Sequence, residues 1–374
     1  MKSYNDAILP PATIGILGGG QLGQMMAFSA KQMGYKVGIL DPTENSPAGQ
    51  VSDFQIISDY DDENAVKQFA KKVDILTYEF ENVDQDLIKK IKNDVFIPQK
   101  INELEITSNR IKEKFFLRDN QIPVVNFQAI NNIDDLVNGV AKIGYQSILK
   151  STEGGYDGHA QYDINNEKDL IEIKKKFDSG EWILEEKKKF QKEVSMMVVR
   201  NTDGKIHTFP LSENIHKNHI LHKSIVPARV DNKVIKDATD IAKKIAERLD
   251  LIGILGIEFF LLDNGSLVVN ELAPRPHNSG HYTIEACNIS QFEAHIRSIC
   301  NIDIPDIVLN NKSLMVNLLG EDLVNARNEL PNKPNWHFHD YGKDKIKPAR
   351  KMGHITLLGN NIENLLNDVN KLNH

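Results

Sequence analysis

The chain has 374 residues, of which 40% are hydrophobic and 26% charged, and its formal net charge is −7 at pH 7. This length allows two or three domains with substantial cores, and the acidic balance argues against a nucleic-acid partner. No stretch approaches the length of apolar sequence that crosses a membrane, and MKSYNDAILPPA lacks the core of a secretion signal, so we expect a cytoplasmic protein with no membrane partner. The two cysteines, Cys287 and Cys300, are too few for a disulfide framework, and we expect both to be reduced.

Strand and helix patterns alternate through the first hundred residues. Strands are predicted at TIGILGGG, KVGILD and VDILTYEF, with a helix through QLGQMMAFSAKQMG and another before VFIP. Such alternation is typical of parallel strands joined by helical crossovers. We therefore predict an N-terminal open α/β domain over residues 1–107.

Two further domains are predicted downstream. A helix over residues 108–119 leads to a compact α+β segment with a glycine-rich loop, which we assign to a small domain of residues 108–190. From residue 191 to 374 the pattern contains strands, a helix near residues 234–249, an acidic hairpin and a helix after His281. This part is predicted to form a larger α+β domain.

The first glycine-rich motif admits three interpretations. Gly18, Gly20 and Gly23 match G-x-G-x-x-G between a strand and a helix, and Asp41 follows the second strand about twenty residues on, as in NAD-binding folds. Backbone N–H groups at a helix N-terminus could equally hold the phosphate of a ribotide. The glycines could also serve only close packing of strand against helix.

A second glycine-rich loop follows Lys150 in the segment KSTEGGYDGH. A loop of this composition could close over phosphates while the lysine meets their charge, although a plain hairpin turn has similar residues. Downstream, Trp182–Glu186 is predicted to be a strand whose backbone edge could bind an adenine. Glu193 is placed to accept hydrogen bonds from ribose hydroxyls.

The segment GIEFFLLDNGSLVVNEL is predicted to be a β-hairpin with a two-residue type I′ turn at Asn264-Gly265. In that register Glu258 lies directly opposite Glu271, where like charges repel. A divalent cation between them would convert the repulsion into ligation, and with Asn270 alongside the site suits Mg²⁺ better than Zn²⁺. The alternative is a solvated edge hairpin, since a one-residue bulge would move one acid to the other face.

The order of phosphate loop, linker strand and paired acids is the order found in ATP-grasp enzymes. Along nearly its whole length the chain resembles the 5-(carboxyamino)imidazole ribonucleotide synthases of that superfamily, on six strings: GGGQLGQM (18–25), TYEFENV (77–83), GGYDG (154–158), NELAPRPHNSGH (270–281), SQFEAHIR (290–297) and KPARKMGH (347–354). The resemblance implies an ATP-grasp fold of combined α/β and α+β class, with an N-terminal pre-ATP-grasp domain, a small lid domain and a larger C-terminal domain. It also implies a homodimer.

The resemblance further implies the residues of each site. Those for ATP are Arg110, Lys150, Gly155, Tyr156, Asp157, Gly158, His159, Ala160, Gln161, Glu185, Glu186, Lys187, Lys188, Glu193, His216, Asn270 and Glu271. Mg²⁺ or Mn²⁺ would be held by Glu258 and Glu271. The ribotide would be bound by Gln21, Leu22, Lys343 and Arg350, together with catalytic residues Glu79, Tyr156, Asp157, Arg275, His277 and Asn278.

Some of these positions have plainer interpretations. Arg275 and His277 could pin a loop, and Lys343 and Arg350 could belong to a solvated basic strand. The family usually continues GGYDG with Lys-Gly, whereas His159-Ala160 stands here. Because histidine is only partly protonated near neutral pH, the positive charge of the lid is in question.

The reaction implied by the resemblance uses ATP and bicarbonate to form carboxyphosphate, which the exocyclic amine of aminoimidazole ribonucleotide then captures. Catalysis of this kind depends mainly on positioning and electrostatics. Asp157 or Glu79 would orient or deprotonate the amine. Three alternatives remain at this stage: an NAD-dependent oxidoreductase, a non-catalytic nucleotide sensor, and an ATP-grasp ligase for another ribotide.

Overall fold

The computed structural model describes residues 6–153, 161–177 and 180–369. Its N-terminal part is a parallel sheet with strand order β3-β2-β1-β4, as predicted. Ile14, Ile16, Val37 and Ile39 in its central strands are fully buried, because helices cover both faces of the sheet. The elements are β1 (Thr13–Leu17), α1 (Gln21–Gln32), β2 (Lys36–Leu40), β3 (Phe54–Ile56), α2 (Glu63–Ala70), β4 (Ile75–Tyr78), α3 (Gln85–Ile91) and α4 (Ile101–Thr107).

The next part is built on an antiparallel sheet with strand order β5-β8-β6-β7. Leu136, Leu149, Ile164 and Leu184 form its core together with Ile130. We call this sheet and its helices the lid sheet. The elements of this stretch are α5 (Arg110–Asp119), β5 (Phe127–Ile130), α6 (Ile133–Ile143), β6 (Ser147–Ser151), β7 (Gln161–Ile164), α7 (Glu167–Lys176) and β8 (Trp182–Glu186).

The largest sheet is antiparallel, with the order β14-β13-β9-β11-β12-β15-β17-β16 and β10 paired to β9. Helix α8 packs on it through Ala238, Ala242 and Ile245, which lie on one helical face and are fully buried. Its elements are β9 (Phe190–Arg200), β10 (Ile206–Thr208), β11 (Ser212–Lys217), β12 (Ile220–Val226), α8 (Asn232–Leu249), β13 (Gly253–Leu262), β14 (Leu267–Ala273), α9 (Thr283–Ala286), α10 (Gln291–Ile299), β15 (Lys312–Leu319), α11 (Asp322–Glu329), β16 (Trp336–Asp340), β17 (Lys351–Gly359) and α12 (Ile362–Val369).

A shared core fixes the N-terminal sheet against the large sheet. Met26 and Ala30 of α1 pack in one cluster with Phe292 and Ile296 of α10. Buried hydrogen bonds add to this contact. Thr77 Oγ1 of β4 donates to Gln99 Oε1 (2.6 Å) and lies 2.9 Å from His295 Nε2. Gln99 Nε2 in turn donates to the carbonyl of Pro274 (3.3 Å). The carboxyl end of β4 is thereby held beside the end of β14.

Cys287 and Cys300 are both buried, and neither takes part in a disulfide among the described residues, as predicted. Within the described ranges, every helix is too short or too polar to cross a bilayer.

Candidate active site

A cavity of about 1150 Å³ lies where the three sheets meet. Most of the predicted site residues line it, from all three parts of the chain. They are Gln21, Leu22, Glu79, Arg110, Lys150, Gln161, Glu185, Glu186, Lys187, Lys188, Glu193, His216, Glu258, Asn270, Glu271, Arg275, His277 and Asn278. Gly155, Tyr156, Asp157, Gly158, His159 and Ala160 lie outside the described residues.

The turn of the acidic hairpin differs from the predicted one. Three residues, Asp263, Asn264 and Gly265, lie between Leu262 and Ser266, which close the turn: Leu262 N donates to Ser266 O and Gly265 N donates to Leu262 O, both at 2.9 Å. A type I′ turn needs positive φ at two residues, but here only Gly265 has one, at +80°. The predicted two-residue turn is therefore wrong.

The predicted pair of glutamates is nevertheless confirmed, because a bulge offsets the longer turn. Beyond the turn the pairing is displaced by one residue, so that Phe259 faces Val269. Asn270 is the extra residue of a β-bulge, and it restores the alignment so that Glu258 lies directly opposite Glu271. The bulge also presents Asn270 and Glu271 together to Glu258, since Asn270 Nδ2 donates to Glu258 Oε2 at 3.4 Å.

The carboxylates of Glu258 and Glu271 repel each other, and a bound cation would relieve this repulsion. Burial raises the pKa of the Glu258 carboxyl to about 7, and the charge of Glu271 adds to the shift. Arg110 partly compensates, with its Nη1 3.2 Å from Glu271 Oε2. Two carboxylates and the amide of Asn270 form a set of hard oxygen donors, which fits Mg²⁺.

This pair predicts a metal-sensitive dependence of stability on pH. An exposed glutamate has a pKa of about 4.3, so the raised pKa of Glu258 makes the folded state bind the extra proton. Stability from this group is present at acid pH and is lost as pH rises toward 7. In EDTA, the free energy of unfolding of the wild type should fall between about pH 5 and about pH 8 by roughly 2 kcal/mol more than that of Glu258→Gln, measured by urea denaturation. Mg²⁺ should restore wild-type stability at about pH 8; equal slopes for the two proteins would contradict the electrostatic frustration of the pair.

Helix α5 supports the bulged strand from behind through two residues that the sequence analysis missed. Lys114, almost fully buried, donates to the carbonyls of Asn270 (2.6 Å) and Val269 (3.3 Å). Glu113 Oε2 accepts from the backbone N–H of Leu272 at 2.9 Å. These contacts satisfy backbone groups around the bulge. A signal existed in the sequence, since residues three and four positions after Arg110 share its helix face.

Lys150 and Glu185 form a buried ion pair at the lid side of the cavity. Lys150 Nζ donates to Glu185 Oε2 at 2.6 Å, and Lys114 Nζ lies 3.7 Å from Glu185 Oε1. Burial alone would raise the pKa of Glu185, but the two lysines outweigh it and hold the pKa at about 2. The ionised Glu185 carboxylate thus holds the Lys150 side chain at the cavity wall.

The prediction that the edge of strand Trp182–Glu186 binds adenine is wrong. This strand is β8, which lies inside the lid sheet with β5 on one side and β6 on the other. Backbone N–H groups at its end are also used, since Glu186 N donates to Asn126 O and Lys187 N to Gln146 O, both at 2.8 Å. Any adenine contact from this segment must come from residues at or beyond the strand end.

Glu193 and His216 meet on the floor of the cavity, as two neighbouring strands place them. His216 Nδ1 lies 2.8 Å from Glu193 Oε2, and a bulge between Ile215 and His216 in β11 turns the imidazole toward β9. Burial lowers the pKa of His216, but the bond to Glu193 and the charges of Glu193 and Glu258 outweigh it, so the pKa is raised overall. The pair therefore favours a protonated imidazole near the glutamate hairpin.

Protein carboxylates occupy the N–H groups of the first glycine loop. Gly19 N donates to Asp41 Oδ2 at 2.7 Å, Gly23 N donates to Glu79 Oε2 at 2.7 Å, and Gly20 N donates to Glu79 Oε1. The N–H groups of Gly19, Gly20 and Gly23 are therefore already satisfied from within the protein, and neither a ribotide phosphate nor NAD has these three donors available. Asp41, the expected acceptor for an NAD ribose, is itself part of this arrangement.

At the opposite end of the cavity, Arg275 is held by an acid that the sequence analysis missed. Its Nε donates to Glu81 Oε2 at 2.5 Å. Although burial would raise the pKa of Glu81, the charge of Arg275 lowers it overall. The bond to Glu81 directs Arg275 toward the same end of the cavity as Glu79. Glu81 could have been found from the sequence, because it follows Glu79 by two residues.

Lys343 and Arg350 are not part of the cavity lining, whereas Lys351 is. Lys343 Nζ donates to the carbonyl of Lys351 at 2.6 Å, and Arg350 Nη1 donates to the carbonyl of Lys345 at 3.1 Å. Burial lowers the pKa of Lys343 to about 8, with a further contribution from the charge of Arg350. Lys343 thus contacts the backbone of Lys351, which does line the cavity and which the sequence analysis missed.

The architecture and the site together define an ATP-grasp enzyme. Three family models match the chain in order: a ribonucleotide synthetase preATP-grasp domain over residues 11–108, an ATP-grasp domain over residues 115–292, and a phosphoribosylaminoimidazole carboxylase C-terminal domain over residues 313–368. The expected ATP-grasp fold is confirmed.

Comparison with individual relatives shows which family of ATP-grasp enzymes the chain belongs to. The chain is 45% identical over 353 residues to the N5-carboxyaminoimidazole ribonucleotide synthase of Bacillus subtilis (strain 168), covering 94% of this chain and 92% of that protein. The structure resembles the ADP complex of the Staphylococcus aureus synthetase (43% identity, TM-score 0.94, 99% and 100% coverage). It also resembles the Aspergillus clavatus synthase with ADP and 5-aminoimidazole ribonucleotide (31% identity, TM-score 0.90, 99% and 98% coverage). The chain belongs to the N5-carboxyaminoimidazole ribonucleotide synthases.

Members of this family are ATP-dependent ligases of purine biosynthesis that carboxylate 5-aminoimidazole ribonucleotide to N5-carboxyaminoimidazole ribonucleotide. The family resemblance predicted from the sequence is confirmed. The NAD-dependent oxidoreductase and the non-catalytic sensor are therefore wrong as alternatives.

Proposed function

We propose that bicarbonate is the carboxyl donor of this enzyme and that ATP activates it as carboxyphosphate. The observation that best supports this is that one cavity has two ends with different sets of charged residues. One end carries Lys150, Arg110 and the glutamate pair, which suit a polyphosphate and its cation. The other end carries Glu79 and the Arg275–His277 segment, beside the end of β4. An oxyanion between the two ends would lie next to both the γ-phosphate and an acceptor amine.

At the nucleotide end, Arg110 and Lys150 would pair with phosphate oxygens and lower the charge that repels an attacking oxyanion. Glu258, Glu271 and Asn270 would hold Mg²⁺, which would neutralise phosphate charge when bound. Across the described ranges, no cluster of three or more His, Cys, Asp or Glu side chains has metal-binding geometry. A cation here would therefore complete its coordination with nucleotide phosphates and water.

At the ribotide end, we assign Glu79 to orient the exocyclic amine. Its two oxygens are fixed by Gly20 and Gly23 N–H groups, and each carboxylate oxygen keeps a further lone pair for a donor on the substrate. Asn278 lines the cavity nearby with both side-chain polar atoms buried and lacking a partner among the described residues. A bound ribotide would satisfy these atoms.

Oxygen transfer tests the proposed route directly. If a bicarbonate oxygen attacks the γ-phosphorus, the C–O bond breaks when the amine captures the carboxyl group, and that oxygen remains on phosphate. With ¹⁸O-bicarbonate, mass spectrometry should find one ¹⁸O atom per phosphate released in the coupled reaction. Product formed with unlabelled phosphate would exclude carboxyphosphate.

Lys343 and Arg350, which lie next to Lys351 of the cavity wall, predict a selective effect on ribotide binding. Replacing Arg350 with Ala removes one positive charge beside Lys343, so the KM for the ribotide should rise about tenfold while ATP binding stays nearly unchanged. Steady-state kinetics with either substrate varied would measure this. Arg327→Ala, an exposed arginine paired with Asp340 on the surface, is the matched control. An equal loss of ATP affinity in Arg350→Ala would contradict a selective effect of this charge on the ribotide.

We further propose a homodimer located in the cytoplasm, with domains at residues 1–107, 108–190 and 191–374. The similarity to the synthases over almost the whole chain supports this organisation. Sedimentation equilibrium would measure the oligomeric state, and a monomer at micromolar concentration would contradict it.

A further inference from the structure

The imidazole of His277 is packed into a fixed orientation at the cavity wall. A side chain at Gly256 of β13 would meet His277 Cβ at 2.7 Å, so only glycine allows this close approach. The backbone of His277 is held by Gln291, which accepts from His277 N at 2.9 Å and donates to His277 O at 2.8 Å. In this position Nε2 lies 3.4 Å from Glu258 Oε1, while Nδ1 points away from the cavity toward Ser279.

A buried chain of hydroxyl and amide groups leads from the large sheet to Nδ1 of His277. Ser224 Oγ donates to Asn214 Oδ1 (2.9 Å), and Asn214 Nδ2 donates to Ser195 Oγ (2.9 Å). Ser195 Oγ also lies 2.8 Å from Ser212 Oγ, but the Ser212 hydroxyl can donate to the Ser195 carbonyl or to Asn214 Oδ1. The Ser195 proton is therefore directed to Ser279 Oγ (2.6 Å), which lies 2.8 Å from His277 Nδ1. Ser195, Ser224 and Ser279 are at most 1% exposed, so water does not compete for these bonds.

The protons of this chain can be assigned in order. Because Ser279 Oγ accepts the proton of Ser195, the proton of Ser279 itself is directed to His277 Nδ1. The backbone N–H of Ser279 points to the same nitrogen, at 3.4 Å. A nitrogen that accepts from two donors carries no proton, so the ring proton is on Nε2. The direction of these hydrogen bonds, from amide to hydroxyl to imidazole, thus selects the tautomer of His277 that carries its proton on Nε2.

We propose that Ser279 and Ser195 are positioning residues that hold His277 as the Nε2–H tautomer, making it a hydrogen-bond donor in the cavity and not a proton acceptor. The N–H is directed toward Glu258 and the space between the two substrate ends. It would orient that carboxylate or stabilise an anionic carboxyl oxygen beside it. Only the kinetic consequence rests on the proposed function; the tautomer does not.

Nitrogen NMR of the intact protein labelled with ¹⁵N-histidine tests the tautomer without any assumption about the reaction. The His277 signals are identified by their loss in His277→Gln. We expect Nδ1 in the pyridine-type range and Nε2 in the pyrrole-type range, with the one-bond proton on Nε2. A proton on Nδ1, a doubly protonated ring or a rapidly averaged mixture in the wild type would overturn the proposal.

Removal of the Ser279 hydroxyl separates positioning from simple packing. Ser279→Ala should move the His277 signals toward a tautomer mixture and lower kcat roughly tenfold, the effect of about one hydrogen bond, with the KM for ATP nearly unchanged. Ser313→Ala is the matched control, since Ser313 is fully buried in β15 and its hydroxyl has no partner among the described residues. Unchanged signals and kcat in Ser279→Ala would overturn the role of Ser279.

Substitution of His277 itself separates a donor from an acceptor. Gln places an amide N–H near the position of Nε2, whereas Glu places an acceptor there with similar reach. His277→Gln should turn over about tenfold faster than His277→Ala, and His277→Glu no faster than His277→Ala. Higher activity in the Glu variant than in the Gln variant would show that His277 acts as a proton acceptor. Loss of all activity in every protein, wild type included, would instead count against the proposed function, while the NMR result would stand.

Discussion

Replacing Glu271 with Gln is expected to lower ATP-dependent product formation on the order of a thousandfold. The variant keeps the shape of the side chain but removes one of the two negative charges that face each other across the bulged hairpin, so the proposed cation site would lose a ligand charge. It also leaves Arg110 without the carboxylate that lies 3.2 Å away. The loss should appear as a fall in kcat and as a weaker dependence on Mg²⁺ concentration, measured by ADP release.

Glu247→Gln provides the control for Glu271→Gln, because Glu247 is exposed on α8 away from the cavity. That variant should retain wild-type kcat and Mg²⁺ dependence. Near-normal ATP turnover in Glu271→Gln would contradict a cation site at the hairpin, provided that circular dichroism shows a folded protein.

Replacing Lys150 with Met should have the second-largest effect, reducing kcat/KM for ATP by roughly a hundredfold. The variant removes the ammonium group that would meet phosphate charge. It also leaves Glu185 with Lys114, at 3.7 Å, and the charge of Arg110 as its remaining compensation. The remaining carboxylate would then repel the nucleotide from the wall where Lys150 attracted it.

Two companion variants make the Lys150 result specific. Lys150→Arg keeps the charge and should retain more activity than Lys150→Met, while Lys142→Met removes an exposed lysine at the end of α6 and should have no effect. If Lys150→Met binds ATP as tightly as the wild type, the lysine does not meet the phosphates.

The spacing of apolar residues and the positions of turn-forming residues in the sequence were sufficient to predict the architecture. Buried β-branched runs separated by helical patterns indicated the parallel N-terminal sheet, and the strand and helix patterns after residue 190 indicated a larger α+β part. The sequence could not show that β8 is an internal strand, because strand order depends on long-range pairing with β5 and β6. It also could not show that two local irregularities in the hairpin would compensate each other.

The sequence allowed prediction of charged residues that the structure brings together in one cavity, but it did not allow prediction of residues that hold other residues in place. The paired glutamates and Lys150 stood out as charges in unusual local patterns. Lys114 and Ser279 act through backbone carbonyls and an imidazole that only the tertiary fold brings to them. Glu79 illustrates the same limit, since its carboxylate satisfies the N–H groups of a loop that the motif alone suggested for phosphate.

The most direct test of the central claim is the release of ADP from the purified protein with Mg-ATP and bicarbonate, in the presence and absence of 5-aminoimidazole ribonucleotide. We predict strong stimulation by the ribotide, with one N5-carboxyaminoimidazole ribonucleotide formed per ADP. ADP release that is indifferent to the ribotide, or that yields no carboxylated product, would contradict the proposed function.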